Sequence, residues 1–190
     1  MNEPAVIAET PRILLRRWRT SDRLPFFEIN SDSRVMELFP ELLTREASDA
    51  SADAIEAHFG KYGFGLCAAE LKNDRRFIGF VGLSVPLFEA KFTPCIEIGW
   101  RLAFDCWGRG LATEAARRMV RYTFEKLELD EVVSFTVLAN ARSRRVMEKI
   151  GMRRDAAEDF DHPHLPEGHP LRRHVLYRLR REGWELAVPR

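Results

Sequence analysis

Between residues 107 and 115 the chain reads Trp107-Gly108-Arg109-Gly110-Leu111-Ala112-Thr113-Glu114-Ala115, a pattern that can hold an anion with backbone alone. Glycines at 108 and 110 remove the Cβ atoms that would keep a phosphate away from the main chain. The residues that follow have helical spacing, with Ala112, Ala115, Ala116, Met119, Val120, Thr123 and Leu127 on one face. A helix that opens from a glycine turn presents unpaired N–H groups, backed by the positive end of its dipole. Just upstream, residues 96–102 read as a strand. Strand, glycine turn and helix together are suited to a pyrophosphate. Two other phosphate signatures fail: no Lys-Ser/Thr pair follows the glycines, and Thr113 stands where a dinucleotide fingerprint needs its third glycine. Taken alone, a G-x-G at a helix start is equally a tight bend.

Other reactive side chains are sparse. Cysteines 67, 95 and 106 are odd in number and form no C-x-x-C, which points to reduced thiols and a cytoplasmic setting. Cys106, beside the glycine turn, reads as a small packing residue. His162, His164, His169 and His174, with Asp161 and Glu167 nearby, form a histidine-rich tract of the kind that binds metals. However, Pro163, Pro166 and Pro170 restrict how the imidazoles converge, and helical H-x-x-x-H spacing is absent. The expectation is a rigid loop whose histidines cap turns and line a channel, with no metal.

The elements that must position these residues follow from local pattern. A first strand is expected at 13–18, then a helix capped by Thr20 or Ser21 with Asp22 in its first turn. A second helix is expected over 46–62 after Thr44, and a hairpin from 64–71 and 76–85 joined by Lys72-Asn73-Asp74. Pro86 and Pro94 bracket a loop before the strand at 96–102. Residues 131–137 alternate and are rich in β-branched side chains, so they read as a strand. Leu138-Ala139-Asn140-Ala141-Arg142-Ser143 leads from it into a short helix through Ile150, stopped by Gly151 as a left-handed cap. Two further strands are expected at 152–158 and 172–181.

With both blocks in view, the chain resembles the GCN5-related N-acetyltransferase (GNAT) superfamily over roughly residues 12–181, and within it the branch that includes the ribosomal-protein N-terminal alanine acetyltransferases. The glycine turn looks like that superfamily's acetyl-CoA pyrophosphate loop. The stretch from Asn140 to Met152 looks like its second cofactor motif. The resemblance implies one α/β (α+β) domain over 1–190. Its mixed, mostly antiparallel sheet would have about six to seven strands and about four flanking helices, with a splayed strand at the cofactor site. It implies that the backbone of Leu102, Ala103 and Phe104 pairs with the pantetheine arm, and that Trp107, Gly108, Arg109, Gly110, Leu111 and Ala112 supply amides around the pyrophosphate. Asn140 and Ser143 would flank the pantetheine and the sulfur, and Arg145 would meet a CoA phosphate. The residue that opens the loop motif is Trp107 instead of the usual Gln or Arg, and Met147 stands where many members carry a tyrosine acid. Ser143 is then the nearest hydroxyl to the departing thiolate, although a serine is a poor proton donor to a thiolate whose conjugate acid has a pKa of about 8.5.

The implied reaction is direct attack of a primary amine on a thioester. Such an amine, with a pKa near about 10, is mostly protonated at neutral pH, so a base or a water chain must take a proton. Glu97, alternating away from Ile96 and Ile98, is the candidate base. A backbone N–H near Leu102 or Ala103 is expected to meet the oxyanion. The resemblance implies acceptors among protein N-termini, polyamines, amino acids and aminoglycosides, and a pocket from Phe26, Phe27, Met36, Phe39 and the 160–170 loop is expected to receive them, although at helical spacing core is the default for these aromatics. The alternative on the same scaffold is a non-catalytic acyl-CoA sensor or interaction protein.

Composition bounds the rest. The 190 residues carry a formal net charge of +1 with 45% hydrophobic content, which suits one core and gives no bulk case for nucleic acid or an anionic membrane. Of 30 basic residues five are lysine, and the arginine excess reads as coding bias before function. No apolar run approaches a membrane span, and the Met1-Asn2-Glu3-Pro4 start has no leader-like character. A monomer or a homodimer is expected.

Overall fold

The computed structural model describes residues 5–187; the Met1–Pro4 start discussed above lies outside them. In chain order its elements are β1 (Val6–Glu9), β2 (Ile13–Arg16), α1 (Arg23–Asn30), α2 (Arg45–Tyr62), β3 (Leu66–Leu71), β4 (Phe77–Ser84) and β5 (Glu97–Leu102). They continue with α3 (Leu111–Glu125), β6 (Glu131–Val137), α4 (Ala141–Lys149), β7 (Arg153–Arg154), β8 (Phe160–Asp161), β9 (Arg173–Arg180) and α5 (Arg181–Ala187). The nine strands make one sheet in the order β1-β2-β3-β4-β5-β6-β9-β7, with β8 also on β9. Every pairing is antiparallel except β5 with β6.

The sheet is mixed and mostly antiparallel, as expected, but it has nine strands and the described residues hold five α-helices. The additions have local causes. β1 lies ahead of Ile13 and pairs with β2. The strand expected at 152–158 stops after Arg154, because the Asp155 carboxylate accepts the Ala157 amide at 2.9 Å and turns the chain into a short 3-10 helix. β8 forms inside the segment that reads as loop, and α5 brings Trp184 against Phe124, with ring centroids 5.2 Å apart.

Caps account for the helix ends. Thr44 accepts the Ala47 amide at 3.2 Å and opens α2, and the left-handed Gly63 closes it. Asp22 stands at the N-cap of α1 but makes no side-chain cap bond to it. Residues 20–22 form a 3-10 turn, and the Asp22 carboxylate grips Arg16 at 2.7 Å. Arg16 also binds Glu70 at 2.8 Å, and all three side chains are buried. A cation in a strand core is stable there only because two carboxylates face it.

α1 packs on α2 and on β4, on the face that carries Phe80 and Arg101. The amphipathic α3, the crossover between β5 and β6, buries Leu111, Ala115, Ala116, Met119, Val120, Thr123 and Phe124 against the other face of β4 and β5. A crossover helix sets its N-terminus at the end of the strand it leaves, which brings the glycine turn to the C-terminal end of β5.

Candidate active site

β5 and β6 run parallel but register at one pair only, Glu97 with Val133, next to a Val133 N–H to Ile96 carbonyl bond of 2.9 Å. Beyond that pair they diverge, and the sheet opens into a wedge. Two cavities fill it. One, of about 270 Å³, is walled by the glycine turn, the first residues of α3, and Asn140, Arg142, Ser143 and Arg145. The other, of about 490 Å³, contains Ser84, Glu97, Gly99, Phe135, Met147 and His162 among its walls. Leu38, Phe39, Trp100, Arg101, Asn140 and Ser143 border both, so the two meet across the splayed strand.

The turn has the conformation its glycines permit. Gly108 and Gly110 have φ of 71° and 76°, a left-handed region that favours glycine, and α3 begins at Leu111 with no side chain capping it. Its first backbone bond, Glu114 N–H to the Gly110 carbonyl at 3.0 Å, leaves the preceding amides for a ligand. Arg12 straps the turn from the start of β2, donating to the Arg109 carbonyl at 3.1 Å and to the Glu114 carboxylate at 2.7 Å.

Which β5 amides face the wedge follows from pairing parity. Ala103 N–H donates to the Ile78 carbonyl at 2.9 Å, and Ile96 points its carbonyl at β6. Alternation then turns the amides of residues 97, 99 and 101 toward β4 and those of 98, 100 and 102 toward β6. Pairing narrows the expected roles here. The Ala103 amide is committed to β4, so it has no N–H for an oxyanion, while its carbonyl accepts the Cys106 amide at 3.0 Å and keeps a second lone pair. Leu102 keeps its amide for the wedge, but its carbonyl accepts the Trp107 indole N–H at 2.9 Å. Phe104 likewise turns its carbonyl to the Trp107 amide at 3.1 Å. Trp107 therefore acts through its side chain, and Arg142 lies over its ring at 4.5 Å.

Glu97 sits on the floor of the larger cavity, beside Gly99, whose missing side chain leaves the floor open. The Ser84 hydroxyl donates to its carboxylate at 3.1 Å. Loss of water around the carboxyl outweighs that bond and pushes its pKa up to about 7. Such a group changes protonation at neutral pH, as a general base must. Asn140 caps α4, accepting the Ser143 amide at 3.1 Å and donating to the Thr136 hydroxyl at 3.0 Å. This leaves the Ser143 hydroxyl free of a cap duty at the junction of the cavities. Met147 is buried, with its side chain in the wall of the larger one.

The histidine tract divides its work as its prolines suggest. His162 Nδ1 accepts the His164 amide at 3.3 Å, and His169 Nδ1 accepts the Leu171 amide at 3.1 Å. His162, His164 and His174 line the larger cavity beside Phe135. Burial first, then the neighbouring imidazoles, lowers His162 to about 4, and burial lowers His174 as well. Both are neutral at pH 7. Among the described residues no three His, Cys, Asp or Glu side chains converge to hold a metal.

The pocket expected from the N-terminal aromatics needs correction. Phe26 and Met36 are buried in the core and Phe27 lines neither cavity, whereas Phe39 borders both. Sequence reasoning missed Arg101, which is half-buried beside the rings of Phe39 and Phe80 with its Cζ 4.2 and 5.6 Å from their centroids. The signal was present: Arg101 falls on the strand face of Glu97, two positions past Gly99.

Comparisons with known proteins identify the family. Residues 12–153 match the model of the acetyltransferase (GNAT) domain. An uncharacterised N-acetyltransferase of Bacillus subtilis, YnaD, is 28% identical over 92% of this chain and 97% of its own length. A GNAT-family acetyltransferase structure from Bacillus anthracis superposes with a TM-score of 0.76 at 25% identity, over 92% of this chain and 98% of that one. The spermidine N-acetyltransferase of Vibrio cholerae, solved with CoA and spermine, shares the fold with a TM-score of 0.72 at 16% identity, over 93% and 99% of the two chains.

Proposed function

Because the chain belongs to the GNAT family of acetyl-CoA-dependent acyltransferases, we propose that it transfers the acetyl group of acetyl-CoA directly to a primary amine, of a small molecule or a protein N-terminus. The observation that carries this reading is the meeting of two cavities across the splayed strand, one with a glycine anion turn and the other with Glu97. Acetyl-CoA supplies the thioester carbonyl that is attacked and the thiol that leaves. The amides of residues 108–112 hold its pyrophosphate, and Arg145 and Lys149 line the same cavity as cations for a further phosphate. Glu97, directly or through a water, takes the proton of the incoming amine. The Trp100 and Leu102 amides face the wedge and meet the carbonyl oxygen as charge develops on it. Ser143 donates a hydrogen bond toward the departing sulfur. One acetyltransferase domain working in the cytoplasm, as monomer or homodimer, completes the reading; all three cysteines are free thiols, and no described helix is long and apolar enough to cross a membrane.

The test is calorimetric titration with acetyl-CoA, with ATP and NAD as controls. Micromolar binding of acetyl-CoA alone is expected. Gly110→Asp should abolish it, because the new side chain sits at a left-handed position and brings a carboxylate against Arg12, the residue that straps the turn. Equal binding of ATP, or of acetyl-CoA to the variant, would refute the assignment of the turn.

A further inference from the structure

The larger cavity contains a charge that the acetyl-transfer chemistry does not use. Arg101 is half-buried on the same face of β5 as Glu97 and borders both cavities. Its Nη1 donates to Asn30 Oδ1 at 2.5 Å, and its Nε is buried with no partner. Among the described residues no carboxylate pairs with it. The contrast with Arg16 is direct, since that buried guanidinium faces both Asp22 and Glu70. Burial without a counter-ion pulls the Arg101 pKa down to about 10, which still leaves it a full cation at neutral pH. Two aromatic rings and one amide compensate a desolvated guanidinium only in part. Glu97 is the sole acidic residue in the lining of the cavity, and it is taken by the reaction.

We propose that Arg101 is a specificity-determining residue that receives a carboxylate on the acceptor, so that the substrates of this enzyme are amines carrying an acid group, such as amino acids or short peptides, and not polyamines. This inference rests on the acetyltransferase reading above and narrows its substrate class. A carboxylate would complete the ion pair that the fold leaves open, with the planar fork of the guanidinium matching its two oxygens. A polyamine would bring several ammonium groups into a cavity that offers one carboxylate, itself the base, and a fixed cation. Four residues of strand separate the Cα atoms of 97 and 101 by about 13 Å, which gives the scale of the spacing between amine and acid.

The experiment compares matched acceptors in a CoA-release assay: α-amino acids, 4-aminobutyrate, 6-aminohexanoate and dipeptides, each against its C-terminal amide, with spermidine alongside. The free acid of at least one pair is expected to exceed its amide by tenfold or more in kcat/KM. In Arg101→Gln that preference should collapse through a rise in KM at nearly constant kcat, and Arg101→Lys should restore part of it. Equal rates for acids and amides, a preference for spermidine, or an undiminished acid preference in a folded Arg101→Gln would overturn the proposal. Calorimetry with acetyl-CoA on the same samples separates the two levels of inference. Binding without turnover of any acid-bearing amine overturns the role of Arg101 alone, and loss of wild-type binding overturns the enzyme reading with it.

Discussion

Replacing Glu97 by glutamine tests the catalytic and the physical argument at once. The side chain keeps its shape and its contact with Ser84 but can no longer ionise. In the wild type, burial raises the carboxyl from the usual 4.5 to about 7, and at about 1.36 kcal/mol per tenfold the folded state loses up to about 3 kcal/mol when the group ionises. The sign follows from the order of the two values. Below pH 4.5 the carboxyl is protonated in both the folded and unfolded chain, so it imposes no penalty. Between 4.5 and about 7 the folded protein binds the extra proton, and wild-type stability falls as pH rises; above about 7 the loss is complete. Solvent in the cavity reduces the figure, so about 1–3 kcal/mol is the expected range. Urea denaturation of both proteins from pH 4 to pH 8.5 should show Glu97→Gln gaining stability over the wild type across that window, with the two converging at pH 4. The same substitution should lower kcat/KM by 10²–10⁴-fold. In the wild type, kcat/KM should rise with pH through about 7, and the variant's residual rate should lose that limb. Acetyl-CoA should still bind, as it would to a sensor; turnover lost on substitution distinguishes the enzyme from one. A parallel pair of stability curves, or a full rate in the variant, would refute both the desolvated carboxyl and its role as base.

Other expectations are more local. Arg16→Met should destabilise the fold by about 3–5 kcal/mol in denaturant melts, because it leaves Asp22 and Glu70 buried without their cation; an unchanged midpoint would mean that water reaches those carboxylates. Ser143→Ala should lower kcat about tenfold, the worth of one hydrogen bond to the leaving group, while acetyl-CoA affinity and thermal stability stay near wild type, since the serine amide and not its hydroxyl caps α4. Unchanged kcat would remove Ser143 from the chemistry and leave a solvent proton for the thiolate. The Gly110→Asp and Arg101→Gln outcomes described above complete the set.

Local chemistry, which needs no tertiary context, was legible in the sequence. The glycines at 108 and 110, the apolar face of α3, the start of α2 after Thr44 and the Gly151 stop all act through backbone geometry within a few residues. The side of β5 on which Glu97 faces follows from alternation alone. What only the tertiary structure decided depends on partners far along the chain. β1, β8 and α5 are stabilised by docking onto elements already formed, so their own residues give weak signals. The loss of Ala103 from the oxyanion role comes from Ile78, a partner on another strand. The same holds for Arg16, which is buried, and Arg101, which is half-buried; the two look alike as letters. Arg16 is closed off by Asp22 and Glu70, whereas Arg101 meets the amide of Asn30 and the open cavity, because a buried charge is defined by what the rest of the fold brings against it.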